Sequence, residues 1–232
     1  MIRDYNDFVK ALLTAGFSMA GGSADGIYAI IDWGWSAPPP FETPIGWHTG
    51  EPETDPWEWR MRVLDERDDI AYGKLFFGKS GFITKEWYPY FLAVRREGLT
   101  FNEAYEKGAI SHAAKRIYDV VSAHGSIPSH SIKVEGGFGK EEKSLFDKAL
   151  TELQMKMHLT MCGKAFRSSK QEMSNSAWAS NTLTTTENFF GAEVFEKADK
   201  ISKDKAINEI RQQVLTLNPD ALEKKITRFI LG

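Results

Sequence analysis

Apolar residues recur at helical spacing in several stretches separated by turn-forming residues. Near the start, Phe8 and Leu12 with their apolar neighbours predict a helix, Asn6 or Asp7 can cap its free amides, and Gly16 ends it. Residues 26–35 read as a strand or a short buried element. The prolines at 38–40 and Pro44 then exclude a continuing helix and open a long irregular excursion. Phe41, Ile45, Trp47 and Trp57 fall within residues 36–57, so this excursion is expected to fold onto the body. Asp55 followed by Pro56 predicts the cap and first turn of a helix carrying Met61, Val63 and Leu64. A short apolar segment with a turn follows at 72–82. Further helices are predicted from near Thr84, from Thr100 and from Ser111, with Gly108 and Gly125 as breaks.

The most regular pattern spans 111–163. Ile117, Val120 and Val121 form one helical stripe, a short second element starts at Ser126, and a longer helix runs from Glu141 to about His158 with Leu145, Phe146, Ala149, Leu150 and Leu153 available for packing. Residues 155–162 fit helix or strand, and 163–167 can turn into another strand. Short helices followed by strand, turn and strand predict a winged helix. The polar residues 168–188, anchored by Trp178, would be its wing or a connection. Two helices are predicted at 189–200 and 203–217, and a last one runs from Pro219 to Ile230 behind an Asn218 cap. The expected fold class is mainly α with a small β component, in a helix-turn-helix/winged-helix architecture. The expected division is an aromatic-rich helical region 1–107, a winged-helix-like region 108–188 and a helical extension 189–232, with one compact domain as the alternative.

Composition narrows the class. The 232 residues are 42% hydrophobic and 12% aromatic, which excludes a disordered or collagen-like chain, and a lone cysteine, Cys162, excludes a disulfide scaffold. No apolar run approaches the roughly 20 residues of a bilayer span, and the first residues lack a secretory signal, so no membrane partner is expected and a reducing cytoplasm is the default. The net charge of −3 is uneven: residues 1–72 carry 5 basic and 13 acidic side chains, residues 73–130 carry 8 and 5, and residues 131–232 carry 16 and 14.

The chain has no HExxH, CxxC, GxxxxGK[ST] or GxGxxG pattern, so neither a metal nor a cofactor is expected. Gly136-Gly137-Phe138-Gly139-Lys140 reads as a turn before the long helix, and Cys162, set among methionine and leucine, reads as a core thiol. The densest chemistry lies in 47–62. There Trp47, Trp57 and Arg60 are candidates for a substrate pocket, since aromatic faces can enclose a base and an arginine can hold phosphate. Glu53, Asp55 and His48 are candidates for moving protons or stabilising a cation. The plainer reading of these residues is that Trp57 and Trp59 anchor a loop, Asp55 caps a helix and Glu58 pairs with Arg62. Among cations that also include Arg95, Arg96, Lys115 and Arg116, the candidates for contacting a nucleic-acid backbone are Lys143, Lys148, Lys156, Arg167 and Lys170. Glu141, Glu142, Asp147 and Glu152 oppose them.

The succession 114–123, 127–133, 141–153 and 159–166 resembles the winged-helix units of the AlkZ-like family, whose characterised enzymes excise alkylated or cross-linked DNA bases. The segment Lys74-Leu75-Phe76-Phe77-Gly78-Lys79-Ser80-Gly81-Phe82-Ile83-Thr84-Lys85-Glu86-Trp87-Tyr88-Pro89 is similar to a shorter AlkZ-related branch. The resemblance implies tandem winged helices around double-stranded DNA and hydrolysis of an N-glycosidic bond. The family's catalytic Gln-x-Gln or Gln-x-Asp does not occur here, because the glutamines are Gln154, Gln171, Gln212 and Gln213. The expected function is therefore DNA binding related to base repair, with N-glycosidic hydrolysis as its enzymatic extension. The alternatives are a noncatalytic winged-helix scaffold with a protein partner, and a small-molecule enzyme outside the repair family.

Overall fold

A six-stranded antiparallel sheet organises the chain in the computed structural model, which describes residues 1–36, 38–166 and 179–232. Its strands are β1 (Phe17–Met19), β2 (Ile70–Phe76), β3 (Lys79–Thr84), β4 (Ser126–Pro128), β5 (Leu159–Phe166) and β6 (Ala179–Thr185). Their order across the sheet is β1-β3-β2-β5-β6-β4. The β2–β3 hairpin closes through Phe77 and Gly78, whose φ values of 55° and 71° give the left-handed pair that a two-residue hairpin turn requires.

Eleven helices are described. Before the long helix come α1 (Tyr5–Ala15), α2 (Pro56–Glu66), α3 (Tyr88–Arg95), α4 (Phe101–Glu106), α5 (His112–His124) and α6 (Ser129–Glu135). Then follow α7 (Lys143–Met155), α8 (Thr186–Phe190), α9 (Ala192–Asp199), α10 (Lys203–Leu217) and α11 (Glu223–Leu231). Local chemistry sets several of their ends. Asp4 caps α1 by accepting from the Asp7 N–H, and Gly16 closes it in the left-handed region. Thr100 and Glu103 form a reciprocal capping box on α4.

Three apolar clusters bind these layers. One joins Phe17, Phe76 and Phe91 to Phe229 of α11 and Val214 of α10. A second packs Ile117, Val121, Phe146 and Leu153 against Leu159 and Leu183 of the sheet. A third sets Phe8, Leu12 and Trp59 on Tyr72, Phe82 and Met161.

The expected fold class, mainly α with a small β component in a winged-helix architecture, is corrected by this sheet. The chain is an α/β mixture, 49% helix and 15% strand. Strands β5 and β6 do not stand apart in a small sheet, because β5 joins β2 through Tyr72↔Met161. The physical reason lies in two-sided burial. On β2, Ala71 and Leu75 face the first cluster while Ile70 and Tyr72 face the third. A strand covered on both faces loses the apolar–polar alternation that marks a half-exposed one, so it read only as a short apolar segment. Other boundaries also differ. Residues 26–35 contribute only an isolated bridge, Met19↔Ala29. The last helix starts at Glu223, and Asn218 donates from its side-chain amide to the Ile27 carbonyl at 2.7 Å.

Candidate nucleic-acid interface

Helix α7 has two faces. Phe146, Ala149 and Leu153 recur at three- and four-residue spacing and are buried in the second cluster. Ser144, Asp147, Lys148 and Thr151 occupy the opposite side at the same spacing. They line a groove of about 840 Å³ whose other wall includes Lys74 of β2 and Asn181 of β6. Lys143 enters from the first turn of α7. The structure thus brings together Lys143 and Lys148 of the expected backbone contacts and adds Lys74. None of these three ammonium groups has an ion-pair partner among the described residues, and all three are exposed. Asp147 is the opposing carboxylate in the groove. Glu152, at its edge, is engaged elsewhere: it accepts from the Ser111 N–H at 3.0 Å and hydroxyl at 2.6 Å.

Lys156 stands apart from this set. Its ammonium is 3.0 Å from Glu152 and also donates to the Ala109 carbonyl, so it ties α7 to the turn before α5. Arg167 and Lys170 lie outside the described residues, as does Trp178. Other cations that a sequence count would add are likewise committed. Arg95 is half-buried and donates to the carbonyls of Leu75, Met155, Phe229 and Ile230, and desolvation of its guanidinium pushes its pKa down to about 10. Arg116 holds Glu142 and the carbonyls of Gly136 and Gly137, and Lys115 holds Asp119.

The aromatic loop is a second concentration of functional groups. Asp55 is fully buried and caps α2: Oδ1 accepts the N–H groups of Trp57 (2.9 Å) and His48 (3.1 Å), while Oδ2 accepts that of Gly50 (2.9 Å). That carboxylate is therefore an anchor for the loop. Glu53 is at the surface, 2.7 Å from Arg62, which also binds Glu66 at 2.8 Å. The His48 ring lies 4.7 Å from Trp57, and the guanidinium of Arg60 sits 3.2 Å from the centroid of that indole. Trp47 donates its indole N–H to the Trp33 carbonyl at 3.1 Å. Thus Trp47, His48, Trp57 and Arg60 do form one aromatic and cationic surface, with Glu53 tied to Arg62 and Asp55 beneath it.

A polar centre that sequence reasoning did not single out lies between α3 and α8. Arg96 is nearly buried, and its Nη1 donates to Glu187 at 2.8 Å across 91 residues. Beside them is a cavity of about 520 Å³, walled by Leu92, Leu99, Phe195 and Ile201. His158 adjoins a smaller cavity that shares Arg96. Its ring meets Phe101 at 5.2 Å and Tyr118 at 6.2 Å, and its buried Nδ1 has no hydrogen-bond partner among the described residues. Burial, reinforced by the positive charges of Arg96 and Lys156, holds this imidazole neutral with a pKa of about 3. Burial raises the Cys162 thiol to about 11. Among the described residues no group of three or more His, Cys, Asp or Glu is arranged to hold a metal ion. No described helix is long and apolar enough to cross a membrane.

Sheet, flanking helices and a groove lined by three lysines and two carboxylates define an α/β protein. The family comparison is more specific: residues 2–231 match the AlkZ-related family, and the chain belongs to it. No curated protein and no solved structure matches the chain. Membership ties the protein to DNA-repair glycosylases at the level of family relationship.

Proposed function

We propose that this AlkZ-related protein binds the sugar–phosphate backbone of double-stranded DNA through the α7 groove, in the service of base repair in the cytoplasm. The observation that supports this most is the convergence of Lys74, Lys143 and Lys148 on one groove with no ion pair to any described residue, whereas Lys115, Lys156, Arg95, Arg96 and Arg116 are all engaged. Ammonium groups left free of protein carboxylates can displace counterions from phosphates, which gives salt-dependent affinity. Asp147 reduces the local excess of charge, consistent with a modest and sequence-independent affinity.

Base excision, the activity that the family resemblance implies, requires a side chain able to orient water or stabilise the sugar cation. Of the three expected catalytic residues, Glu53 has the carboxylate that reaches solvent, with 60% side-chain exposure, and so carries that part of the proposal. His48, exposed against Trp57, is the proton relay in the same reading, and Asp55 positions its backbone. The test is titration of duplex and single-stranded oligonucleotides, with and without alkylated purines, between about 50 and 200 mM salt, with released base measured in parallel. Duplex binding that weakens with salt is expected; no binding to any probe at low salt overturns the proposal. Base release that is lost in Glu53→Gln while binding persists supports excision, and release unchanged in that variant rejects the Glu53 assignment.

A further inference from the structure

Residues 11–59 contain seven carboxylates and no lysine or arginine. Three of those carboxylates are spoken for: Asp25 binds Lys79, Glu53 binds Arg62, and Asp55 is the buried cap. Asp32, Glu42 and Glu58 have no ion-pair partner among the described residues, and each stands next in sequence to an aromatic side chain, namely Trp33, Phe41 and Trp57. Within residues 32–58, three large apolar side chains are left in solvent: Trp35 is 63% exposed, Phe41 45% and Trp57 39%.

These aromatics form one connected surface. Phe41 meets Trp33 at 5.3 Å, Trp47 hydrogen-bonds the Trp33 carbonyl, Trp35 meets Trp47 at 6.2 Å and His48 at 6.1 Å, and His48 meets Trp57 at 4.7 Å. An exposed aromatic surface of this kind is costly to leave uncovered and marks a place of association. The unpaired carboxylates next in sequence to these aromatics favour a cation over a bare phosphate here. The protein itself shows which chemistry the surface accepts: the Arg60 guanidinium lies 3.2 Å from the centroid of Trp57. No comparable cation covers Trp35 or Phe41 among the described residues. A guanidinium is planar, stacks on indole and phenyl faces, and is drawn by neighbouring carboxylates.

We propose that the Trp35–Phe41–Trp57 surface is a docking site for an arginine-bearing basic segment of a protein partner, with arginines stacking on Trp35 and Phe41 as Arg60 stacks on Trp57, and Asp32, Glu42 and Glu58 supplying the charge complement. This surface is separate from the α7 groove, so peptide docking and duplex binding can be tested independently, whereas it shares His48 and Trp57 with the base-excision reading and competes with it for that loop.

The probe is a labelled oligo-arginine peptide titrated into the full chain at low salt, beside oligo-lysine and oligo-glutamate peptides of equal length. The arginine peptide is expected to bind, more tightly than the lysine peptide, and the glutamate peptide is not. Trp35→Ala with Phe41→Ala should weaken the arginine peptide about tenfold, the loss expected for two exposed cation–π contacts. Glu42→Gln with Glu58→Gln should weaken it too while leaving the aromatic faces in place, which guards against a folding artefact. Duplex DNA affinity should be unchanged in both double variants. Absence of binding, equal binding by the Trp35/Phe41 variant, or displacement of the peptide by a single-stranded oligonucleotide would each overturn the assignment.

Discussion

Gln154 of α7 and Lys74 of β2, eighty residues apart, are joined by a 3.0 Å hydrogen bond in which the Lys74 backbone N–H donates to Oε1. The same amide donates through Nε2 to the Leu150 carbonyl at 3.0 Å, and the side chain is 1% exposed. It fits there because residue 73 is glycine: a Cβ at that position would lie 2.9 Å from Oε1. The bond falls where the β2–β3 register shifts, so it satisfies a donor that the ladder leaves free, and it fixes the segment that carries one groove lysine.

Replacing Gln154 by Leu leaves the Lys74 N–H without that acceptor. The expected cost is about 1–3 kcal/mol of unfolding free energy, the range for a buried polar group deprived of its partner. Gly73→Ala should act in the same direction by pushing the amide aside. Urea unfolding of the two variants checks both expectations, and a Gln154→Leu protein as stable as the parent would show that the bond contributes nothing net.

Asp55→Ala should be chiefly a stability mutation. Its carboxylate accepts three backbone N–H groups, from His48, Gly50 and Trp57. Losing a helix cap together with two loop anchors is expected to cost about 2–4 kcal/mol. Thermal unfolding should register the loss, whereas duplex affinity of the folded fraction should stay near the parent value because the α7 groove is untouched.

His158 gives the fold an acid limit. Its folded-state pKa is depressed to about 3 by burial, Arg96 and Lys156, whereas an unfolded histidine titrates near 6.5. Above about pH 6.5 the residue is neutral in both states and has no effect. As pH falls below that value the unfolded chain takes up a proton that the folded chain refuses, so stability declines, by up to about 1.4 kcal/mol per pH unit, until the folded pKa is reached. Unfolding free energies at pH 7 and pH 5 should therefore converge in His158→Phe relative to the parent. An equal pH dependence in the two proteins would remove His158 as the cause.

Cys162 should be a slow thiol. With its pKa raised to about 11 by burial, its thiolate is scarce at neutral pH, and alkylation should run roughly a hundredfold slower than in the unfolded chain. Mass-spectrometric labelling rates in native and denaturing buffer test this directly.

Much of the helical framework was legible in the sequence because capping chemistry is local. Asp55-Pro56 at the start of α2, Thr100 before α4, Ser111 before α5 and Gly16 after α1 each carry their signal within one turn. The sheet was not legible in the same way, since β2 is apolar on both faces and its partner β5 lies eighty-odd positions further on, a pairing that no local pattern records. The candidate site divides similarly. Lys143 and Lys148 were visible as helix cations, but whether a cation is free depends on distant partners: Glu152 claims Lys156, and four carbonyls claim Arg95. Lys74 had a local signal, as the one charged residue in the run Ile70–Phe76, and its exposure follows from it. The Arg96–Glu187 pair had none.

The most direct test of the groove as a DNA-binding surface is the salt dependence of duplex affinity for the parent protein and for the Lys74, Lys143 and Lys148 alanine variants, singly and combined. Three phosphate contacts predict a slope of about −2.7 in log K against log salt, and each lysine removed should lessen it by about 0.9. A slope that stays the same when all three lysines are replaced, or no duplex binding by the parent protein at low salt, would contradict the assignment of the α7 groove.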